Sequence, residues 1–449
     1  MKTNKIKSFL ILMCIAVNSV SAATGLIYQK GAEISTVQNS MPYELNYSRI
    51  FAAAESSESL QPKALTIDAS KFPDLQAAFD AVPAGGGEVI IPPGDYELTK
   101  PLVLTRENTS IRGAGPSTHI INNNPDGEPA LIVRPENITE RAARIWRIQL
   151  SDLRISGNSK SGDGILLEKI DELYISGLHV DHNGRHGINM NECLENPRIN
   201  HCNITYNAQA GIYLFGCHDV VVNANQFEEN QDGLRFVDGF NLTMNGNNID
   251  DHLRHGIVIE NTYASVLSGN MIEECNGTAI ILDRDCYGIT TSANVIAHCL
   301  GGGIELRDAW GCTVSANTFV LVYAFSVLAG PLSGRDIISA NNFCNSYIGE
   351  GKTMRPIEFG KSKDPMSIDG GTGIILQGTS DISVTGNVFA GLSGEAVKAE
   401  NTCRRISVTG NIMTDLGRKV AGAKVAIDTG DAKECIVKDN LVEKGLMVK

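Results

Sequence analysis

The sequence has few of the features that mark several large classes of protein. Apart from a shorter N-terminal stretch, it has no apolar run of the ~18 residues that a membrane span needs, which argues against an integral membrane protein. Its formal net charge of −13 excludes a general nucleic-acid binder, because such proteins need a positive surface. Among its 11 cysteines no two form a Cys-x-x-Cys pair, so we predict no zinc site.

The N-terminal residues predict export. Three lysines within the first seven residues precede an apolar run from Phe9 to Val17, and small residues suited to a cleavage site follow it. We therefore expect a signal peptide at residues 1–22 and a secreted or periplasmic protein. Residues 23–63 show no periodicity, so we interpret them as a leader before the main domain at residues 64–449.

The main domain is an internal repeat. Short stretches of alternating β-branched residues end in a turn with an asparagine, and between Asn203 and Asn341 these turns recur every 22 to 24 residues. The repeated asparagines are Asn158, Asn203, Asn225, Asn247, Asn270, Asn294, Asn317, Asn341, Asn387, Asn411 and Asn440. Such a period predicts a parallel solenoid in which each coil hydrogen-bonds to the next. Because asparagine suits the left-handed backbone of a tight turn, we interpret this column as structural.

This turn column, together with the segment LQAAFDAVPAGGGEVIIPPGDYEL that begins at Leu75, resembles the right-handed parallel β-helix proteins of the pectate lyase superfamily. The resemblance implies an all-β fold, a single-stranded right-handed parallel β-helix (solenoid), for which the repeats predict about ten to twelve coils. It also implies an N-terminal capping helix, which the apolar pattern places around Leu75 to Val82.

Outward positions of the coils are the candidates for chemistry, because inward positions must be apolar. In the repeated Gly-Ile-x-Leu strand the position x points outward, and these positions with their flanking residues form one stacked patch. Our candidate catalytic residues in this patch are Asp232, Arg235, Arg254 and His255. Our candidate substrate-binding residues are Arg185, His186, Asn189, Tyr213, Glu260, Asp283, Glu305 and Arg307.

Two segments of the patch are near copies of each other. Residues 181–188 read DHNGRHGI and residues 251–257 read DHLRHGI, and together they hold four of the nine histidines. A repeated solvated turn would explain the pattern without any function. Alternatively, arginine can hold a sugar carboxylate by two bonds, histidine can move a proton near neutral pH, and a carboxylate can act as acid, base or nucleophile. The resemblance supports the second interpretation, since it implies a substrate groove along this strand and turn.

We therefore expect an enzyme that cleaves an acidic polysaccharide or oligosaccharide by β-elimination. One group must neutralise the uronate carboxylate, and we assign this role to Arg254. Another group must take the proton from the carbon next to that carboxylate, and we assign this role to His255. The sequence has no clear group of three or four aspartates to bind calcium, so we expect no cofactor and keep a calcium-dependent enzyme as the disfavoured alternative. A homo-oligomer is compatible with the sequence.

Two other functions stay open. A glycoside hydrolase, or a glycosyl or fructosyl transferase, would use paired carboxylates in the same groove. The motifs of polygalacturonases are not present as a set, and Asp250-Asp251 with Arg254-His255-Gly256 matches them only in part. The third function is a non-catalytic glycan-binding surface or periplasmic protein, which the basic and histidine-rich patch disfavours.

Overall fold

The computed structural model describes residues 65–344, 371–400, 402–417, 422 and 424–449. These residues form a right-handed parallel β-helix with three long sheets, which we call sheets 1, 2 and 3. The predicted all-β solenoid is confirmed. The predicted signal peptide and leader lie outside the described residues.

Each coil contributes one strand to each sheet in turn. Among the described residues, the 15 strands of sheet 1 are Leu65–Asp68, Gly87–Ile90, Thr109–Arg112, Ile148–Ser151, Tyr174–Ser176, Arg198–Asn200, Val221–Asn223, Thr243–Asn245, Val266–Ser268, Thr290–Ser292, Thr313–Ser315, Ile337–Ser339, Ser380–Thr385, Arg404–Thr409 and Ile436–Lys438. The 14 described strands of sheet 2 are Gly94–Leu98, Thr118–Asn122, Arg154–Ser156, His179–Asp181, Asn203–Thr205, Gln226–Glu228, Asn248–Asp250, Met271–Glu273, Val295–Ala297, Thr318–Val320, Asn342–Cys344, Val388–Ala390, Ile412–Thr414 and Leu441–Val442.

Sheet 3 is the longest, and two short strands extend its side. Its 16 described strands are Leu102–Leu104, Leu131–Val133, Ile165–Glu168, Ile188–Asn191, Ala210–Phe215, Asp232–Phe240, His255–Tyr263, Thr278–Asp283, Cys286–Tyr287, Gly302–Leu306, Ala309–Trp310, Phe325–Ala329, Thr372–Gln377, Val397–Glu400, Val425–Asp428 and Met447–Val448. A separate two-stranded sheet pairs Ile145–Trp146 with Ile170–Asp171.

The inside of the solenoid is apolar because alternate residues of each strand point inward. In Ile165–Glu168 the first and third residues are fully buried, and the second and fourth are partly exposed. Similar side chains stack in successive coils, as in Phe319, Phe343 and Phe389, whose ring centroids are 4.8 and 4.6 Å apart. Burying an aromatic or aliphatic side chain of this kind contributes about 1.5–3 kcal/mol to folding, so these columns fix the register between coils.

Two short helical segments precede the regular coils, a 3-10 turn at Ala69–Lys71 and an α-helix at Leu75–Asp80. The side chain of Asp74 accepts a hydrogen bond from the first turn of the α-helix at 2.8 Å, which is a typical N-cap. Gln76 bonds the backbone of Val103, in the first strand of sheet 3, at 2.8 and 3.0 Å. The role of this helix as a cap stays a prediction. No helix in the described part of the chain is long and apolar enough to span a bilayer.

The solenoid has about 15 coils, more than the ten to twelve predicted. The additional coils lie at the N-terminal end, where four strands of sheet 1 precede Asn158. Their spacing is irregular, since the strands that begin at Thr109 and Ile148 start 39 residues apart. A count that relies on a regular asparagine turn could not detect them.

Nine of the eleven predicted asparagines form a ladder at the corner between sheets 1 and 2. From Asn225 to Asn440, the side-chain amide of each one donates to Oδ1 of the next at 2.9–3.0 Å. The structural interpretation is thus confirmed for these nine. Asn158 and Asn203 lie outside the ladder, although Asn158 is also structural, since its side chain bonds the backbone of Asn122 and Lys160 at 3.0 and 2.9 Å. Cys202 takes the ladder position in the coil of Asn203, where its backbone N–H donates to Oδ1 of Asn225 at 2.9 Å.

Candidate functional site

The candidate residues lie on the outer face of sheet 3 and in the turn that leads into it from sheet 2. The strand register places Asn189, Tyr213 and Arg235 in one column, one coil apart. Two apolar residues continue the column to Glu305. The outward column that the sequence predicted therefore exists.

Asp232 begins one of the two longest strands of sheet 3, and its side chain is fully buried. A Cβ added to the next residue, Gly233, would lie 2.6 Å from the backbone oxygen of Gly256 in the following coil. Only glycine lets the two coils stack this closely. The tight stacking brings the carboxylate of Asp232 beneath the backbone of His255.

The carboxylate of Asp232 is enclosed by hydrogen-bond donors. Nε of Arg254 donates to Oδ1 at 2.8 Å, and Nη2 donates to Oδ2. The backbone N–H of His255 donates to Oδ1 at 3.1 Å. Burial alone would raise the pKa of Asp232, but the bonds from Arg254 hold it below its usual value. Asp232 is therefore an anion that positions Arg254 and His255, and we call these three residues the second module.

The ring of His255 is oriented by the backbone of the next coil. The N–H of Thr278 donates to Nδ1 of His255 at 3.0 Å. A backbone N–H can only donate, so Nδ1 carries no proton, and the neutral ring carries its proton on Nε2. Burial lowers the pKa of His255 and the nearby Arg254 lowers it further, which favours this neutral form. In this state the free nitrogen of His255 is a hydrogen-bond donor, which argues against the proton-taking role that the sequence analysis assigned to this residue.

The same arrangement occurs three coils earlier, in a first module of Asp163, Arg185 and His186. The backbone N–H of His186 donates to Oδ1 of Asp163 at 3.0 Å, and Nε of Arg185 lies 3.7 Å from that oxygen. Ala210 donates its backbone N–H to Nδ1 of His186 at 3.2 Å, as Thr278 does to His255. At ~4.8 Å per coil the two modules are ~14 Å apart.

Asp163 is a residue that the sequence analysis missed. It precedes a repeated glycine, as Asp232 does, and this equivalence could have identified it. Its Oδ2 accepts a bond from the amide of Asn189 at 2.9 Å. The rings of His186 and Tyr213 stack with centroids 4.7 Å apart, and burial lowers the pKa of His186. The structure thus brings together the predicted residues of this part of the patch.

Glu260 links the second module to the next part of the face. Its carboxylate accepts a bond from Nη2 of Arg235 at 2.6 Å and lies 3.2 Å from Nε of Arg284. Arg235 also lies 3.4 Å from Oδ2 of Asp232. Arg284 was missed because it lies in a turn outside the repeated strand pattern.

The remaining predicted residues form a neighbouring cluster. Arg307 donates to Glu305 at 2.9 Å and to Asp283 at 3.4 Å, and these contacts raise the pKa of Arg307. Asp283 pairs in register with Glu260 of the previous coil. The two clusters are therefore continuous, and cationic and anionic side chains alternate along the groove.

One correction concerns the second near copy. Both near copies begin with Asp-His, which would match His252 with His182, but the structure places His252 at the position of Asn183. A second ladder runs from Asn183 through Asn207 to Asn230, whose backbone N–H donates to Nδ1 of His252 at 3.1 Å. His252 is fully buried there, so it is not a residue of the outer face.

Two overlapping groups could hold a metal ion among the described residues, and both lie where three neighbouring strands in the middle of sheet 2 end. One contains Glu273, Glu274 and His298, and the other contains Asp250, Asp251 and Glu274, with ligand atoms within 4.8 Å of one another. Carboxylate oxygens are the ligands that Ca²⁺ prefers. Burial and the neighbouring carboxylates raise the pKa of Asp250 to about 6. These groups do not belong to the strands of the groove, and the expectation of no cofactor stays a prediction.

A family model described as the right-handed β-helix region matches residues 139–284 and 255–445. Together the two matches cover more than half of the 449 residues. The chain belongs to this family. No curated protein gives a significant match to this β-helix sequence.

Several solved structures have a similar β-helix but share little sequence with it. The A-module of mannuronan C-5 epimerase AlgE4 from Azotobacter vinelandii matches with a TM-score of 0.49 and 16% identity, over 84% of this chain and 99% of that one. A family 28 exopolygalacturonase from Yersinia enterocolitica gives 0.48 and 12%, over 86% and 79%. ORF18 of Geobacillus virus E2 gives 0.47 and 17%, over 64% of this chain and only 58% of that one. At these identities the likeness concerns the fold alone.

Proposed function

We propose that this β-helix protein is exported and acts on an acidic polysaccharide bound along the outer face of sheet 3. The observation that carries the proposal is the repetition of one module three coils apart, in which a buried aspartate positions an arginine and an imidazole N–H donor. Arginine and N–H donors bind carboxylates well. An open groove with equivalent donor sets along its length suits a polymer with repeated carboxylates.

We propose β-elimination as the reaction. It requires neutralisation of the uronate carboxylate, which makes the adjacent C–H more acidic. Arg254 uses Nε and Nη2 to hold Asp232, which leaves Nη1 for a ligand, and its side chain is 42% exposed. His255 adds a second donor through Nε2. We assign Arg254 and His255 as the neutralising pair of this mechanism. The C–H proton passes to a base other than His255, whose Nε2 already carries a proton, as the C–O bond to the leaving sugar breaks, and that sugar oxygen takes up a proton.

Hydrolysis or glycosyl transfer by paired carboxylates is the second candidate, and the charges support it less well. A glycosidase needs one carboxyl group that stays protonated at the working pH. Burial would raise the pKa of Asp232, but Arg254 holds it low, and Glu260 contacts two arginines. Asp232 is therefore held as an anion and cannot serve as this acid.

The test is to incubate the purified protein with a panel of acidic and neutral polysaccharides. The assay follows the ultraviolet absorbance of an unsaturated product together with the number of reducing ends. Elimination predicts that both rise with an acidic polymer. A rise in reducing ends alone would indicate a hydrolase, and no change with any polymer would leave glycan binding as the function.

Variants of the two proposed catalytic residues test whether the activity lies in the groove of sheet 3. Arg254→Ala and His255→Ala should each lower the rate by about 100-fold or more. Both variants should remain folded. His255→Ala should melt close to the wild type, whereas Arg254→Ala should melt at a lower temperature because it leaves the buried carboxylate of Asp232 without its guanidinium partner. Arg404→Ala, at an exposed arginine of sheet 1 that pairs with Glu434, is the matched control and should keep full activity. Full activity in the Arg254 and His255 variants would contradict the assignment.

Two features of the N-terminal part belong to the same proposal. We propose that residues 1–22 are removed on export and that the helix Leu75–Asp80 caps the solenoid. N-terminal sequencing of the protein recovered from the culture medium or periplasm tests the first. A mature protein that begins at Met1 would contradict it.

A further inference from the structure

Sheet 2 carries a serine, a histidine and an aspartate on three successive strands. Oγ of Ser156 lies 2.7 Å from Nε2 of His119, and Nδ1 of His119 lies 3.3 Å from Oδ1 of Asp95. We propose that these residues form a Ser–His–Asp triad, with Ser156 as the nucleophile, that hydrolyses carboxylic esters. This site is separate from the groove of sheet 3. The proposal does not depend on the polysaccharide cleavage described above.

The strand register explains why these side chains meet. Asp95 and His119 are directly paired on neighbouring strands, and His119 is paired with Arg154, two residues before Ser156. Residues two apart in a strand point to the same face, so Ser156 and His119 share the outer face as diagonal neighbours. Ser156 is 8% exposed, which shields its hydroxyl from bulk water.

The contacts of His119 give it the orientation that a general base requires. Oδ1 of Asp95 lies 3.3 Å from Nδ1, and its negative charge favours a proton on that nitrogen, so Nε2 is free to accept the hydroxyl proton of Ser156 at 2.7 Å. The ring proton is thus on the opposite nitrogen from that in His255, whose Nδ1 accepts a backbone N–H. His119, unlike His255, is therefore oriented to activate a nucleophile.

Ser156 opens into a pocket of about 530 Å³, within the range of small-molecule sites. Asn158, His182 and Tyr206 line it, and the rings of His182 and Tyr206 stack with centroids 4.9 Å apart. Polar groups therefore line the space that the alcohol part of a bound ester would occupy. The pocket fits an ester of a short acyl group with a hydroxyl-rich alcohol such as a sugar.

Arg154 supplies a positive charge next to the nucleophile. Its Nε and Nη2 bind Asp181 at 2.8 and 2.9 Å, which fixes the guanidinium and leaves Nη1 outside the pair. The side chain of Arg154 lines the same pocket as Ser156. A fixed cation at this place stabilises the negative oxygen that forms when a hydroxyl attacks an ester.

The reaction balances with water as the only co-reactant. As Oγ of Ser156 bonds to the ester carbon, its proton moves to Nε2 of His119. The carbon–oxygen bond to the alcohol breaks, and the alcohol oxygen takes that proton. Water then attacks the acyl-serine and gives a proton to His119, and the carboxylic acid leaves as Oγ recovers the proton.

The test uses the full chain with p-nitrophenyl acetate as substrate and a fluorophosphonate reagent as a covalent label. The wild type should hydrolyse the ester, and intact mass should show one adduct at Ser156. Ser156→Ala should lose the adduct, and both Ser156→Ala and His119→Ala should lower hydrolysis by about 100-fold or more. Asp95→Asn should cause a smaller loss, because the side chain of Asp95 is 76% exposed.

The matched control is Ser176→Ala. Ser176 is also the third residue of a three-residue strand, but its hydroxyl bonds the side chain of Asn200 and not a histidine. This variant should keep both hydrolysis and the adduct, and melting temperatures should show that all variants fold. A wild type that neither hydrolyses the ester nor takes the label would overturn the proposal. Equal labelling of Ser156→Ala would also overturn it.

Discussion

Asp336 is a carboxyl group in the apolar interior, and we predict that Asp336→Asn flattens the pH dependence of stability. Its side chain is 1% exposed. Oδ1 accepts the backbone N–H of Cys312 at 2.7 Å, and Oδ2 has no hydrogen-bond partner among the described residues. Burial raises the pKa of Asp336 from 3.8 to about 7.

The raised pKa means that the folded protein binds this proton more tightly than the unfolded chain does. The stabilising contribution is therefore complete below the unfolded pKa of 3.8 and is lost as the pH rises through about 7. A difference of roughly three pKa units, at ~1.4 kcal/mol per unit, gives about 4 kcal/mol as the upper bound of the loss. Asparagine does not titrate in this range, so the variant should lack this part of the loss and keep the smaller part that Asp250 contributes through its own raised pKa of about 6.

The measurement is urea denaturation of the wild type and the variant at several values between about pH 4 and about pH 8. Asp381→Asn is the control. Asp381 is exposed and Arg405 binds it at 2.6 and 2.8 Å, which lowers its pKa to about 2, below the window. This control should keep the wild-type loss of stability. The reasoning is refuted if Asp336→Asn loses as much stability with rising pH as the wild type does.

Three further predictions concern the groove and the coils. His255→Gln, which retains an N–H donor, should keep far more polysaccharide cleavage than His255→Ala, whereas equal losses in a rate assay would indicate that His255 is a base. Asn294→Ala removes the acceptor of two bonds from Asn270 and should lower the free energy of unfolding by about 3 kcal/mol in urea titrations; a change near zero would show that the ladder adds no stability. Gly233→Ala should destabilise the protein and reduce cleavage, because its Cβ would meet backbone at 2.6 Å; a wild-type melting temperature and rate would contradict the close stacking.

The regular part of the fold could be predicted from the sequence because its coils have nearly constant length. Between Asn225 and Asn341 the spacing alone fixes which asparagines stack, so the ladder follows from it. The repeated Gly-Ile-x-Leu strands fix the column through Asn189, Tyr213 and Arg235 in the same way. Asn203 fails because the coil holds Cys202 at the ladder position. The repeat was identified from its asparagines, so it could not show that the ladder position of this coil lies one residue before Asn203.

The contacts between side chains could not be predicted in the same way. Spacing places Asp232 near Arg254, but it does not reveal that the N–H of Thr278 determines the tautomer of His255. The meeting of His119 with Ser156 depends on coils of irregular length, for which no period gives the register. These contacts can be identified only when the positions of the backbone atoms are known.

The most direct test of the proposed function changes the substrate and leaves the protein intact. Once a cleaved acidic polysaccharide is found, the same polymer is prepared with its carboxylates reduced to alcohols, and kcat/KM of the wild type is measured for both forms. If Arg254 and His255 act by neutralising a carboxylate, the reduced polymer should be cleaved at least about 100-fold less efficiently. Equal cleavage of the two polymers would contradict the proposed role of the groove.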